Sequence, residues 1–516
     1  MTALAAKGPS FDFELGTDVL VTGTGFLGAP NVGTLLAAAD VDVALSQSDL
    51  AEILAANSST NDSAFDTLLN NLESSGMDRL VLDVGQVEAL GADGLTIELG
   101  TDVLVTGTGF LGSPGVGTLL AAADVDVALS QSNLYEILAA NSSTNDAAFD
   151  TLLNDLQDSG MDRLVLDVGQ VEALGADGLT IDAGTDVLIT GTSFLGSPGV
   201  NTLLAAADVD VSLSESDLSW ILAAGSATAV DARLDSLISS LSAAGMDRLV
   251  LDPGQVEALA AVGSVVDFES GDYSVLVTGT SFLGSTNVNT LLANVDVDVR
   301  LSTTDLTQLL TAGAGSAALG NLETALNALD GTSSPGDVRL DLDLGAVKAL
   351  ATAGFDFSSN ADVVVTGTGF LSTTGSQQIS LIELLDDAKL TVALDTGDAD
   401  YLASFTTADS LDAALSGLQS RLDTFNTDTL EFSSGDLGAL VDSLASSFSS
   451  TELASLDGFG LPTELSAISV TGTGFLDNPT DPQHDVLDKL FDDYNAPGNA
   501  DGVHLDEQIV KLLGGS

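Results

Sequence analysis

The string Val-Thr-Gly-Thr-Gly-Phe begins at Val21 and returns at Val105, 84 residues later. Variants begin at Ile189, Val277, Val365 and Val470, at steps of 84, 88, 88 and 105 residues. Blocks 17–100 and 101–184 are nearly identical; later blocks drift and the sixth is incomplete. A fixed period of this length is the mark of one supersecondary unit used many times, each copy burying its apolar face against the next. It divides the chain into a lead-in strand (1–16), repeats 17–100, 101–184, 185–272 and 273–360, a divergent fifth repeat (361–465), and a partial repeat with the C-terminal tail (466–516).

Within one unit, Val41, Val43 and Leu45 alternate with Asp42 and Ala44, the pattern of a half-buried strand. Phe65, Leu68, Leu69 and Leu72 recur at helical spacing, and Gly76 stands where a C-terminal cap belongs. Leu80–Leu82 reads as a short strand. Asp83 then reads as the N-cap of a helix carrying Val87 and Leu90; the third unit has Pro253 after Asp252, and proline suits the first helical position. Leu95–Leu99 and Asp102–Thr106 read as two strand segments joined at Gly100-Thr101 by a tight hairpin or one bent strand. Apolar stretches after Val32, Leu50 and Val87 each follow a strand, giving three β-then-helix turns per unit. Helical crossovers favour parallel pairing. The expected fold is α/β: an elongated tandem array of about 85-residue α/β repeats with mostly parallel strands, either solenoid-like or as beads.

The chain carries 76 acidic against 12 basic residues, a net charge of −64, yet 45% of its residues are hydrophobic. That is too apolar for disorder, so the charge sits on a folded surface. Such a surface repels phosphates and anionic lipid headgroups and attracts divalent cations and cationic partners. Nucleic acid is therefore not an expected partner. No apolar run reaches membrane-spanning length, so insertion into a membrane is not expected either. Cysteine is absent, which excludes disulfides and thiolate metal sites. Residues 1–16 lack a signal-peptide core, and the Leu513–Ser516 ending reads as that of an excerpt.

Val19–Gly28 is a strand followed by G-x-G-x-x-G (Gly23, Gly25, Gly28), and it resembles the nucleotide-binding start of Rossmann dehydrogenases of the extended short-chain type. The resemblance covers about ten residues per unit and implies a glycine turn delivering a pyrophosphate to a helix N-terminus. The middle glycine is Ser193 and Ser281 in two copies, and the last is Ser372 and Asp477 in two others. None of the four tyrosines is followed at four residues by the lysine that this family uses for proton transfer. The other reading is a structural corner, which needs only the first glycine: Gly23, Gly107, Gly191, Gly279, Gly367 and Gly472.

Two further constellations recur. Asp40/Asp42, Asp124/Asp126, Asp208/Asp210 and Asp296/Asp298 place two carboxylates on one strand face, where they could share Ca²⁺ or form a solvated acidic face. Arg79, Arg163, Arg248 and Arg339 recur once per unit; a regular lone base among acids reads as a structural ion pair. The only histidines, His484 and His504, lie in the tail, so no histidine-based catalytic or metal site exists within the repeats.

These features point to a non-enzymatic structural or adhesive scaffold, a bacterial surface-layer, filament or adhesin protein at the cell surface or outside the cell, with Ca²⁺ as a stabilising ion and self-association or a surface partner as its contacts. Near-identical tandem blocks serve reach and multivalency, whereas catalysis needs one copy. The alternatives are a multi-site binder of calcium or a dinucleotide, and a cytoplasmic acidic protein of a halophile.

Overall fold

The computed structural model describes residues 17–27 and most of 39–445, with two further short strands at Ala467–Thr471 and His504–Leu505. The expected lead-in strand (1–16) and Gly76 lie outside the described residues. The strands are β1 (Thr17–Thr22), β2 (Ala39–Ala44), β3 (Arg79–Asp83), β4 (Asp102–Thr106), β5 (Asp124–Ala128), β6 (Arg163–Asp167), β7 (Asp186–Thr190), β8 (Asp208–Ser212), β9 (Arg248–Leu251), β10 (Ser274–Thr278), β11 (Asp296–Arg300), β12 (Val338–Leu342), β13 (Asp362–Thr366), β14 (Lys389–Ala393), β15 (Thr429–Ser433), β16 (Ala467–Thr471) and β17 (His504–Leu505). Each pairs in parallel with the strand next to it in sequence. The result is one continuous sheet through all the repeats: a solenoid, not a string of beads.

The strand pattern explains the layering. Val41, Val43, Leu80, Leu82, Val103 and Val105 are buried, while Asp42, Val81 and Leu104 between them point to the other face. Helices cover the first face. In Asn61–Glu73, Phe65, Leu69 and Leu72 are fully buried, each worth about 1.5–3 kcal/mol against exposure. Helix Val84–Ala92 begins at Asp83, whose carboxylate accepts from the Gln86 backbone while the Gln86 side chain accepts from the Asp83 backbone, a reciprocal capping box. Its counterpart Pro253–Val262 starts on proline, as the sequence predicts.

Leu95–Leu99 corrects the strand expectation. Leu95 and Ile97 are buried, but the described part, Leu95–Ile97, belongs to no strand; the Ile97 N–H donates to the Leu119 carbonyl beneath the short helix Val116–Leu120, and residues 98 and 99 lie outside the described residues. The apolar alternation was right, but its partner is a helix of the next repeat. Asp102–Thr106 is β4, as expected, and both its pairings are parallel; Gly100 of the expected hairpin or bent strand lies outside the described residues.

The sheet also coils. Arg79 lies beside Asp42, but it is Val81, two residues on, that lies beside Leu104, which lies beside Asp126 and through it Arg163. Equivalent positions therefore climb by two residues, roughly 7 Å, per repeat. The coil closes on itself after about three repeats, since helix Asn61–Glu73 of the first packs against helix Thr303–Ala312 of the fourth. The face away from the helices thereby becomes an inner wall: Leu276, which points there, is wholly buried.

Candidate functional site

The recurrent arginines stand on this inner wall. The Arg79 Nε and Nη2 donate to the two carboxylate oxygens of Asp42 at 3.1 and 2.9 Å. Arg163 holds Asp126 at 3.0 and 2.9 Å, Arg248 holds Asp210 at 3.0 and 2.8 Å, and Arg339 holds Asp298 at 2.8 and 3.1 Å. Parallel pairing creates each fork by setting the two residues side by side on adjacent strands. The remaining guanidinium nitrogen reaches onward. Arg79 Nη1 lies 3.8 Å from Asp126 of the next repeat, Arg163 Nη1 3.7 Å from Asp210, and Arg339 Nη1 donates to Glu431. Every such arginine thus ties its own repeat and, in three of the four, a later one. Burial opposes the charge on these groups, but the aspartates outweigh it and hold the guanidinium values above normal.

Of the aspartate pairs proposed from sequence as cation sites, the second member of each is this arginine partner. A Ca²⁺ there would compete with a bidentate guanidinium. Of the first members, Asp208 is half-buried and Asp296 exposed; the side chains of Asp40 and Asp124 lie outside the described residues. A different acidic group comes together instead. Asp356, Asp386 and Asp387, all exposed, bring carboxylate oxygens within 4.8 Å of one another, the one such group among the described residues. It joins residues about 30 apart, so nothing local in the sequence marks it.

The glycine turn is equally specific in its contacts. Gly23, Gly107, Gly191, Gly279 and Gly367 have φ of 82°, 97°, 96°, 123° and 81°, conformations that favour glycine; Gly472 lies outside the described residues. Each donates its N–H to the carbonyl ending the next strand, as Gly107 does to Ala128 at 2.8 Å. The following threonine then reaches the next helix. The Thr24 N–H and hydroxyl both donate to Asp49, whose carboxylate also accepts from Ser46, the residue before helix Gln47–Ala55. Thr192 with Asp217 and Thr280 with Asp305 repeat the arrangement, and Asn133 substitutes for the aspartate against Thr108. Burial opposes the Asp49 charge, but the hydrogen bonds from Ser46 and Thr24 prevail and hold its carboxyl below the usual range. Donors that a pyrophosphate would need are thus engaged by an internal carboxylate in the first and fourth repeats, where Thr24 and Thr280 offer backbone N–H groups to Asp49 and Asp305.

Two structural devices were not read from the sequence. The buried Gln86 side chain donates to the Leu45 carbonyl at 2.8 Å, and Gln170 and Gln255 do the same to Leu129 and Leu213. The D-x-x-Q spacing was the available signal. Gly115 packs so closely on helix Val84–Ala92 that a Cβ would stand 2.0 Å from the Gly91 carbonyl oxygen. The paired loss of both glycines in a later copy (Ala260 and Asn287) was the signal there. No family model matches the chain, and no curated protein matches it.

Proposed function

We propose that this chain is a non-enzymatic, length-bearing scaffold of the adhesin, filament or surface-layer kind, working at the cell surface or outside the cell. The observation that carries this reading is the single sheet and shared core running through successive repeats, stitched by arginines that bridge one repeat to the next. A unit that only stabilises its neighbour adds length and stiffness with each copy. The recurrent constellations also have structural partners: the arginines hold aspartates, and the glycine turns hold helix caps. Imaging of the full-length protein tests the reading. Coiled rods of uniform width support it; separate globules on a flexible string would overturn it.

A second reading, calcium binding, has the Asp356, Asp386 and Asp387 group in its favour. Titration calorimetry with Ca²⁺ checks it. Heat that disappears on Asp386→Asn supports a site, whereas an equal response to NaCl at matched ionic strength reduces it to screening.

A further inference from the structure

Each strand of the sheet pairs with the strands next to it in the chain, and among the described residues no strand pairs with one from another turn of the coil. Main-chain hydrogen bonds of the sheet therefore run along the coil and not across it. Where the fourth repeat lies over the first, helix Thr303–Ala312 packs against helix Asn61–Glu73. On the inner wall, Asp102 of the second repeat stands near Arg300 and Asp343 of the fourth. Leu188 and Leu276, which point to the same wall, are 8% and 0% exposed. Packed side chains, apolar and charged, thus make up the seam between turns.

Both helices of the seam are acidic. Asn61–Glu73 carries Asp62, Asp66 and Glu73, Thr303–Ala312 carries Asp305, and neither has a lysine or arginine. A climb of two residues per repeat sets successive turns about 20 Å apart after three repeats. That spacing decides when they repel. Charges are screened beyond roughly 8 Å at 0.15 M salt but only beyond roughly 30 Å at 0.01 M, so one turn senses the charge of the next in the dilute case alone. Repulsion summed over many carboxylates then opposes closure. Within a turn, the hydrogen-bonded sheet and the core beneath its helices resist that force; at the seam only packed side chains do.

We propose that the coil is an extensible spring set by salt: its turns part along the seam between the first and fourth repeats when screening ions are withdrawn, and close again when they return. The sheet stays intact throughout. The arginine forks join neighbouring strands of one turn, so they stay closed as well. Sliding of packed helices is a movement of this kind. Leu188 and Leu276 gain water as the turns part, and their burial draws the coil shut once the repulsion is screened. Extension is separate from the scaffold reading, since a coil of fixed length would still bear length.

The chain has no cysteine, so introduced pairs carry spin labels at known places. In the full chain, Thr67→Cys with Gln308→Cys puts one label on each helix of the seam, and Gln308→Cys with Asn327→Cys puts both within the fourth repeat; all three residues are exposed. Double electron–electron resonance measures each distance at the two salt concentrations. The seam distance is expected to lengthen by about 5 Å or more at low salt, enough to part helices packed about 8–10 Å apart, and to return at high salt, while the distance within the repeat stays. Small-angle scattering from the unmodified chain should show a longer maximum dimension at low salt with unchanged circular dichroism. A seam distance or maximum dimension that is the same at both concentrations overturns the proposal. So does a change in both label distances, because the whole fold would then be loosening.

Discussion

Repeats 101–184 and 273–360 have the same three strands and crossovers, yet they solve two packing problems with different residues. In the first junction, Gly115 (φ 83°) sits against Gly91, backbone on backbone. In the later one, Asn287 (φ 67°) faces Ala260 and donates its side-chain amide to that residue's carbonyl at 3.1 Å. The left-handed turn is kept while the close approach is given up, so the conformation is the common demand. The inner wall differs as well. Among the described residues, repeat 101–184 has one ion pair between its own strands, Arg163 with Asp126, and the later repeat has two, Arg339 with Asp298 and the reversed pair Arg300 with Asp341 at 2.6 Å. The glycine turn separates the same way: Gly107 and Gly279 both keep positive φ, while Gly109 has become Ser281.

The largest expected effect comes from forcing one solution into the other's place. Gly115→Val puts a β-branched side chain at positive φ and against the Gly91 carbonyl, and should cost about 3–6 kcal/mol. The double variant Gly91→Ala/Gly115→Asn should be at least about 1 kcal/mol more stable than the sum of its single changes, because the two residues form one contact. Denaturant titrations of the wild type, Gly115→Val, the two single changes and the double variant measure both. Strict additivity would mean that the two junctions are not alternative solutions to one problem.

The ion pairs should rank next. Arg163→Met leaves Asp126 with Arg79 and Asp210 with Arg248, so it should cost about 1–3 kcal/mol. Arg339→Met strands two nearly buried carboxylates, Asp298 and Glu431, and should cost about 3–5 kcal/mol. Equal losses in thermal unfolding would show that the second arginine near each of Asp126 and Asp210 contributes nothing measurable.

Much of this organisation was legible because it is periodic. The strand at Val41–Leu45, the apolar helix face at Phe65–Leu72 and the Asp83 cap each depend on neighbours within a few residues. The lone arginines were legible as ion pairs, but their partners lie 37 to 41 residues away and are chosen by strand register. The same aspartates also fitted a cation reading, because sequence spacing shows a shared face and not which side chain stands opposite. Leu95–Ile97 was misread since burial beneath a helix and burial in a sheet leave the same alternation. The Thr24–Asp49 bond spans a strand and its crossover, and no local pattern announces it.

The smallest effect should come from the place where these two repeats meet across the coil. Asp102 on β4 is exposed at the strand surface, but it faces the inner wall, where many protein atoms surround it at longer range and charges of the later repeat stand near; solvent therefore moderates the effect of burial. Burial, then Asp343 and Asp126, push its carboxyl up, while Arg300 and Arg163 pull it down; it is left at about 7 against an ordinary value of 3.8. A raised carboxyl means that the folded chain binds more protons than the unfolded chain between those two values. Its contribution should therefore weaken stability as pH rises from about 4 to about 7, and level off above. The equivalent residue in the later repeat is Ser274, which cannot titrate. Asp102→Ser should accordingly leave a melting temperature that falls less than the wild type's between pH 4 and 7, with the gap constant above pH 8. Self-repulsion of the other acids is common to both proteins and cancels in the difference. Parallel melting curves over the whole range would mean that Asp102 is as well solvated as a free carboxylate, and that the two repeats do not sense each other's charge across the inner wall.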